Sequence, residues 1–161
     1  MSIVDLYPNL LYYIKEKGGI LIKAYYAHSM YKYDTEIEKY EIDLIKSYFP
    51  TIEILDPNKD IGTDFNSDKE AMKECIKNLR NCDILIFSSI NGCVGKGVQE
   101  EIEFAKKHNI PIYYILYNSI SEVDPESISF SIFNYSDRLY SIFNGTCLFN
   151  VALQEDQGYY A

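Results

Sequence analysis

Four short apolar runs, separated by segments with helical periodicity, constrain the fold of this 161-residue chain more than any other feature. The runs cover residues 20–26, 52–55, 83–88 and 112–117, and three of them are apolar on both faces. Such strands are typical of a parallel sheet covered by helices on each side. We therefore predict an α/β fold: a three-layer Rossmann-like (flavodoxin-like) parallel sheet with helices on both faces, forming one domain over residues 1–161.

The segments between these runs carry the capping and periodicity signals of helices. Asp34 or Thr35 can cap a helix that ends near residue 49. Ser67 or Asp68 can cap a second helix that ends near residue 81, and a third is expected over about 97–107. The apolar positions of the first helix predict a buried stripe, made of Ile37, Tyr40, Ile42, Leu44 and Ile45. Weaker patterns predict an amphipathic segment over residues 8–17, a polar loop over 59–67, a strand near 129–133 and a helix near 137–143.

The charge balance and hydropathy exclude two broad classes of partner. A formal net charge of -9 with only two arginines argues against binding to a nucleic-acid duplex. No apolar run approaches the roughly 20 residues needed to cross a bilayer, and the amino terminus lacks a signal-peptide pattern. We therefore expect a cytoplasmic protein without a membrane partner.

The cysteines and histidines indicate neither a disulfide framework nor a zinc site. The four cysteines show no CxxC pairing, and the chain has only two histidines. Reduced and mostly buried thiols are the simpler interpretation. We expect no metal and no cofactor.

The stretch from Gly95 to Glu101 is the strongest indication of a functional site. It follows the apolar run 83–88 and opens the third helix, which places the Glu101 carboxylate over the carboxyl end of the sheet. Ligands of open α/β sheets bind in the crevice beyond these strand ends. We therefore expect the loops after Tyr26, Asp56 and Ser88 to converge on one pocket that contains Glu101.

Other residue types at the strand ends suit a nucleobase or a phosphate. His28 can stack on a base, bind a phosphate or act as an acid near neutral pH, although it is equally well an ordinary loop histidine. Aromatic and thioether side chains can line a base pocket, as can Tyr26, Met30 and Tyr31. Ser88, Ser89 and Lys96, with the amide groups of the helix, can bind a phosphate, or Lys96 is simply a surface lysine. The substrate-binding candidates are Tyr26, His28, Met30, Asp56, Ser88, Gly95 and Gly97.

Several local features follow one another in a set order along the chain. A tyrosine-rich loop with Ala27-His28 follows the first strand, Asp56-Pro57 ends the second, and Cys82-Asp83 precedes the third. The run Glu101-Ile102-Glu103-Phe104-Ala105 then opens the third helix. This order resembles the nucleoside 2-deoxyribosyltransferase family over roughly residues 20–117.

The resemblance implies a role for Glu101. Its position matches the nucleophilic glutamate of the family, whose carboxylate stabilises or captures the positive charge on the anomeric carbon as the glycosidic C–N bond breaks. The family commonly has aspartates at the positions of Cys75 and Gly95. The proton donor to the leaving base therefore stays open among Glu74, Glu100, Asp56 and a group of the substrate. The resemblance also implies a homo-oligomer in which the carboxyl-terminal segment of a neighbour helps to close the site.

Three functions are compatible with the sequence. The first is an enzyme that cleaves or transfers at the N-glycosidic bond of a nucleoside or nucleotide, with Glu101 as nucleophile. The second is a TIR-like glycohydrolase that acts on NAD, which the missing aspartates make more credible. The third is a nucleotide-binding module without catalysis. Fold alone does not separate them.

Overall fold

The structure, a computed structural model, describes residues 21–132 and 139–142. Over these residues the main sheet has five strands. They are β1 (Ile22–Ala27), β2 (Ile52–Leu55), β3 (Ile84–Ser88), β5 (Ile112–Leu116) and β6 (Ser119–Val123). Their order across the sheet is β2-β1-β3-β5-β6, so β3 lies at the centre, and the first four in this order are parallel to one another. The predicted doubly wound α/β fold is therefore confirmed.

Strand β6 departs from the predicted all-parallel sheet. It pairs antiparallel with β5, and it lies at the edge of the sheet. Tyr117 adopts a positive φ of 55° between the two strands, and this tight turn reverses the chain into a hairpin. Alternation then buries Ile120 while its neighbours face outward, as expected for an edge strand with one solvated face.

Within the described part of the chain, three α-helices cover the sheet, with bounds close to those predicted. They are α1 (Glu36–Tyr48), α2 (Asp68–Leu79) and α3 (Lys96–Lys107). Thr35 and Ser67 cap the first two, since each side-chain oxygen accepts a hydrogen bond from a backbone amide in the first turn. Helix α1 packs with Ile45 on one face of the sheet, and α2 and α3 pack on the other face.

The predicted buried stripe of α1 is wrong at its first two positions. Ile37 and Tyr40 are half exposed, whereas Glu38, Glu41 and Ile45 are buried. The inward face therefore carries carboxylates where the periodicity predicted apolar side chains. Acidic groups are buried in this way only when partners compensate their charge.

A second, three-stranded antiparallel sheet lies beside α3. It contains β4 (Cys93–Gly95), β7 (Phe130–Ile132) and β8 (Leu139–Ile142), in the order β4-β8-β7. The strand predicted near 129–133 is confirmed, but the helix predicted near 137–143 is wrong over residues 139–142, which pair with β4. The remainder of that predicted helix and the segment 8–17 lie outside the described residues.

Shorter features complete the described chain. Part of the predicted polar loop is a helical turn over Pro57–Ile61. Cys75, Cys82 and Cys93 are free thiols. Among residues 21–132 and 139–142, every helix is too short or too polar to cross a membrane.

Candidate functional site

The two consecutive tyrosines of β1 direct their hydroxyls to opposite faces of the sheet. Successive strand side chains alternate in this way, so Tyr25 joins the core under α2 and α3 whereas Tyr26 joins the core under α1. Each hydroxyl donates a 2.6 Å hydrogen bond to a buried glutamate: Tyr25 to Glu101 on α3, and Tyr26 to Glu41 on α1. One strand therefore anchors a carboxylate on each face.

The group formed by Tyr25, Cys75 and Glu101, called here the α3 cluster, lies on the face covered by α2 and α3. Burial raises the pKa of Glu101 to about 8, and nearby Glu100 adds to this rise while the Tyr25 hydrogen bond opposes it. Burial also raises the pKa of Cys75 to about 11, with the Glu101 carboxylate acting in the same direction. At neutral pH the thiol is therefore protonated, and Glu101 is partly ionised.

The opposite face holds a second buried group, called here the α1 cluster, whose centre is His28, Glu38 and Asp56. The His28 Nε2 atom lies 2.7 Å from Glu38 Oε2 and 3.8 Å from Asp56 Oδ1. The side-chain amide nitrogen of Asn58 donates to both Glu38 oxygens, at 3.2 and 3.3 Å. Ligand atoms of His28, Glu38 and Asp56 lie within 4.8 Å of one another, so these three residues can hold a metal ion.

Lys32 extends the α1 cluster to the end of the central strand. Its buried ammonium group donates to Glu41 at 2.6 Å, to Ser88 Oγ at 2.8 Å and to the Ser89 carbonyl at 3.1 Å. Three donors thus meet three acceptors, which satisfies a buried lysine. The contacts join the loop after β1 to the end of β3.

Tyr33 lies beside His28 of the α1 cluster and is also influenced by the charges of the α3 cluster. Its ring centroid is 5.0 Å from that of His28. Burial raises the pKa of its hydroxyl, and further contributions come from Glu101 and Cys75 on one side and from Asp56 and Glu38 on the other. Tyr33 is therefore near the carboxylates of both faces.

The predicted pocket differs from the observed arrangement. The loops after Tyr26, Asp56 and Ser88 do converge, through the His28–Asp56 and Lys32–Ser88 contacts. His28 and Glu101, however, are held from opposite faces of the sheet, and a shared pocket on one side is wrong. The reason is the alternation along β1, which sends the partner of each residue to a different layer.

Three predicted base-contacting residues occupy different environments. The Tyr26 ring is stacked on His28 at a centroid distance of 3.8 Å, which covers the face that a base would need. His28 is fully buried, and its Nδ1 and Nε2 atoms face the Tyr26 carbonyl and Glu38. Met30 is 65% exposed in a short turn, and its assignment to a base pocket stays a prediction.

The predicted phosphate site is also occupied by internal contacts. Ser88 accepts the hydrogen bond from Lys32, and the Ser89 hydroxyl lies 2.6 Å from that of Tyr114. Lys96 is exposed at the start of α3. Asp56 lies in the α1 cluster, where its Oδ1 atom accepts a hydrogen bond from the backbone amide of Asn58 at 3.0 Å.

The two glycines serve the packing around α3. Gly95 is a buried residue of β4 and the N-cap of α3, without a side-chain cap. The expected glycine-rich turn is therefore partly a strand. A Cβ atom at Gly97 would lie 3.3 Å from Met72 Cε, so the absence of a side chain permits close approach of α2 and α3.

Five residues that build the clusters were not predicted from the sequence: Tyr25, Lys32, Tyr33, Glu38 and Glu41. The available signal was the spacing of Glu38 and Glu41, which are one helical turn apart and one turn before the buried Ile45. Acidic residues at core positions of a helix indicate paired carboxylates. The absence of CxxC and the scarcity of histidine also led away from a mixed imidazole and carboxylate site.

The α/β core and the two acid clusters at its carboxyl edge define a Rossmann-like domain with a candidate site. Comparison of the sequence with protein-family models gives no match, and comparison with curated proteins gives none. A conserved protein of Enterococcus faecalis V583 of known crystal structure is similar in fold, with a TM-score of 0.53 and 19% sequence identity. The match covers 62% of this chain and 66% of that one. This similarity supports the fold.

Glu101 should make the protein less stable as the pH rises. Its folded-state pKa of about 8 lies above the ordinary 4.5, so the folded protein binds the proton more tightly. The stabilising contribution is complete below pH 4.5 and is lost as the pH rises through about 8. Urea unfolding of Glu101→Gln and wild type should therefore diverge with pH, in favour of the variant, by roughly 3–4 kcal/mol between pH 5 and 8.

The matched control for this measurement is Glu103→Gln, which changes an exposed glutamate on the same helix. Its free energy of unfolding should follow that of the wild type across the range. A constant difference between Glu101→Gln and wild type from pH 5 to 8 would contradict the raised pKa.

Proposed function

We propose that this protein cleaves or transfers at the N-glycosidic bond of a nucleoside or nucleotide, with Glu101 as the nucleophile. The observation that carries the proposal is the buried Glu101 carboxylate, held at 2.6 Å by the hydroxyl of Tyr25 in the carboxyl-terminal half of the interior strand β1. A fixed carboxylate at this edge of an α/β sheet is well placed to act on a bound sugar. The hydrogen bond from Tyr25 also favours the ionised form that attack requires.

The surroundings of Glu101 agree with the resemblance found in the sequence. Cys75, at the position where the resemblance expects an aspartate, lies against Tyr25 and near Glu101. This proximity of Cys75 to Glu101 supports the proposal. The exchange of aspartate for cysteine replaces a charged acceptor by a neutral thiol, since the pKa of Cys75 is about 11.

The reaction has two steps. A Glu101 oxygen attacks the anomeric carbon, a glycosyl ester forms, and the C–N bond breaks with its electron pair going to the base. Water or a second base then attacks the same carbon and releases Glu101 as a carboxylate, while the acceptor loses a proton. Positive charge develops on the sugar in both steps, and the carboxylate stabilises it.

The lack of an identified proton donor favours a second candidate function, the hydrolysis of NAD. Glu74 pairs with Lys77 on the surface at 3.4 Å, so it is a poor proton donor to a buried base. Cys75 and Gly95 replace both expected aspartates. The nicotinamide of NAD leaves as a neutral molecule and needs no proton, because it is positively charged while bound to ribose. An NAD glycohydrolase would therefore work without the missing acid.

The wider setting follows from the same proposal. The partner is a small nucleoside or nucleotide, and the protein acts in the cytoplasm as a homo-oligomer. The chemistry proposed for Glu101 is the same whatever the location and the oligomeric state of the protein.

The test is incubation of the protein with deoxynucleosides, ribonucleosides, nucleoside monophosphates and NAD, followed by chromatography. We expect a free base, an exchanged nucleoside when a second base is present, or nicotinamide. Nicotinamide alone would favour the glycohydrolase over the transferase. If no substrate is turned over while a nucleotide binds, the enzyme proposal fails and a nucleotide-binding module remains.

A further inference from the structure

Three buried side chains of the α1 cluster place their ligand atoms at separations suited to a metal ion. The distances from His28 Nε2 are 2.7 Å to Glu38 Oε2 and 3.8 Å to Asp56 Oδ1. In a tetrahedral shell with bonds of about 2.0–2.2 Å, neighbouring ligand atoms are about 3.3–3.6 Å apart. Because this value lies between the two observed distances, small side-chain movements can close the set around an ion.

The backbone fixes which nitrogen of His28 is available. Nδ1 lies 3.1 Å from the Tyr26 carbonyl oxygen, which only accepts hydrogen bonds, so Nδ1 carries a proton. In the neutral ring, Nε2 is then a lone pair that faces carboxylate oxygens. A lone pair and carboxylate oxygens that face one another are compensated by a second proton on the ring or by a metal ion between them. A backbone carbonyl on the second ring nitrogen is also the usual support of a metal-binding histidine.

Asp56 supplies a second and independent observation. Its Oδ2 atom is buried and has no hydrogen-bond partner within the described part of the chain. The Oδ1 atom of the same carboxylate accepts from the Asn58 amide and faces His28. A carboxylate buried to this extent requires compensation for its unused oxygen, and a cation bound by this carboxylate would provide it.

The local charge balance indicates a divalent ion. Glu38 and Asp56 together carry two negative charges, and a proton on His28 compensates only one of them. The nearby Lys32 ammonium group is already paired with Glu41 at 2.6 Å. A divalent ion would compensate both carboxylates.

We propose that His28, Glu38 and Asp56 form a site for a divalent transition-metal ion of the Zn²⁺ type. One imidazole and two carboxylates suit such an ion better than Mg²⁺, which prefers oxygen ligands alone. Asn58 is half-buried, and its side-chain amide donates to the exposed Asp34 at 3.1 Å, so the cluster borders the surface at this point. The proposal does not depend on the glycosidic activity, because the site is defined by binding.

The test is titration of the full chain with Zn²⁺ by calorimetry, and with Co²⁺ by visible absorption. We expect one ion per chain and a Co²⁺ spectrum without the intense near-ultraviolet band of thiolate ligands. Asp56→Asn should weaken Zn²⁺ binding at least about tenfold, the loss expected even for an outer-shell partner. The asparagine side chain keeps an oxygen that can accept the hydrogen bond from the backbone amide of Asn58, so the variant preserves the local turn.

Controls separate this site from other ligands. Glu103→Gln changes an exposed carboxylate on α3, and Cys75→Ser removes the thiol of the α3 cluster; both should bind as the wild type does. His28→Gln should reproduce the loss seen with Asp56→Asn. Three results would each overturn the proposal: no Zn²⁺ binding to the wild type, equal binding by folded Asp56→Asn, or a thiolate band in the wild-type Co²⁺ spectrum. The last measurement needs no variant, so it decides even if the variants fail to fold.

Discussion

Replacing Glu101 by glutamine is expected to reduce turnover by roughly three or more powers of ten while changing ligand affinity little. The carboxylate acts mainly on charge that develops in the transition state, so its removal affects kcat more than binding. Glutamine keeps an oxygen that can accept the 2.6 Å hydrogen bond from Tyr25. The structure around the residue should therefore persist, and the loss can be measured as kcat and KM on the substrate identified by chromatography.

The pH profile gives this prediction a second readout. A nucleophile must be ionised, and the pKa of Glu101 is about 8, so kcat/KM should rise with pH and level off above that value. An activity that falls through the same range would indicate a proton donor instead. Glu103→Gln should retain wild-type kinetics, and equal kinetics for Glu101→Gln and wild type would retire the catalytic assignment.

Replacing Lys32 by methionine should destabilise the fold by roughly 3–5 kcal/mol, because it leaves the Glu41 carboxylate buried without its counter-ion. Lys32 and Glu41 are both about nine-tenths buried, and their charged atoms lie 2.6 Å apart. The Tyr26 hydroxyl would remain as a donor to Glu41, but a neutral donor does not replace a positive charge. The free energy of unfolding in urea at neutral pH measures the loss.

Two further variants identify the cause of this loss. The double variant Lys32→Met/Glu41→Gln removes both charges and should recover much of the stability. Lys77→Met breaks an exposed pair with Glu74 at 3.4 Å and should change the stability by at most about 1 kcal/mol. A Lys32→Met effect as small as that of Lys77→Met would show that Glu41 has other compensation.

The main strands could be predicted because their burial follows directly from the apolar composition of each run. The runs that become β1, β3 and β5 are apolar on both faces, and this pattern has few alternatives. Strand β8 could not be predicted, because its four residues are ordered by pairing with the distant β4. Nothing in residues 139–142 records that partner, so local pattern favoured a helix.

The site was predictable only in part for a related reason. Glu101 follows a strand at the edge where ligands bind, and topology alone places it there. The burial of Glu38 and Glu41 depends on contacts with His28 and Lys32, which lie outside helix α1. Periodicity treats an acidic residue as solvent-facing, so it assigned the inward face of α1 to Ile37 and Tyr40 instead.

The adjacent hydroxyls of Tyr25 and Tyr26 also bear on how the two acid clusters move. Both belong to a strand between β2 and β3, and interior strands open only in large-scale unfolding. Glu101 and Glu41 are tethered to that strand, although each resides on a helix. Fast fluctuations of the helix surfaces should therefore leave the two carboxylates nearly stationary relative to each other. Rearrangements of the two carboxylates on opposite faces of the sheet should therefore be coupled through the interior strand β1.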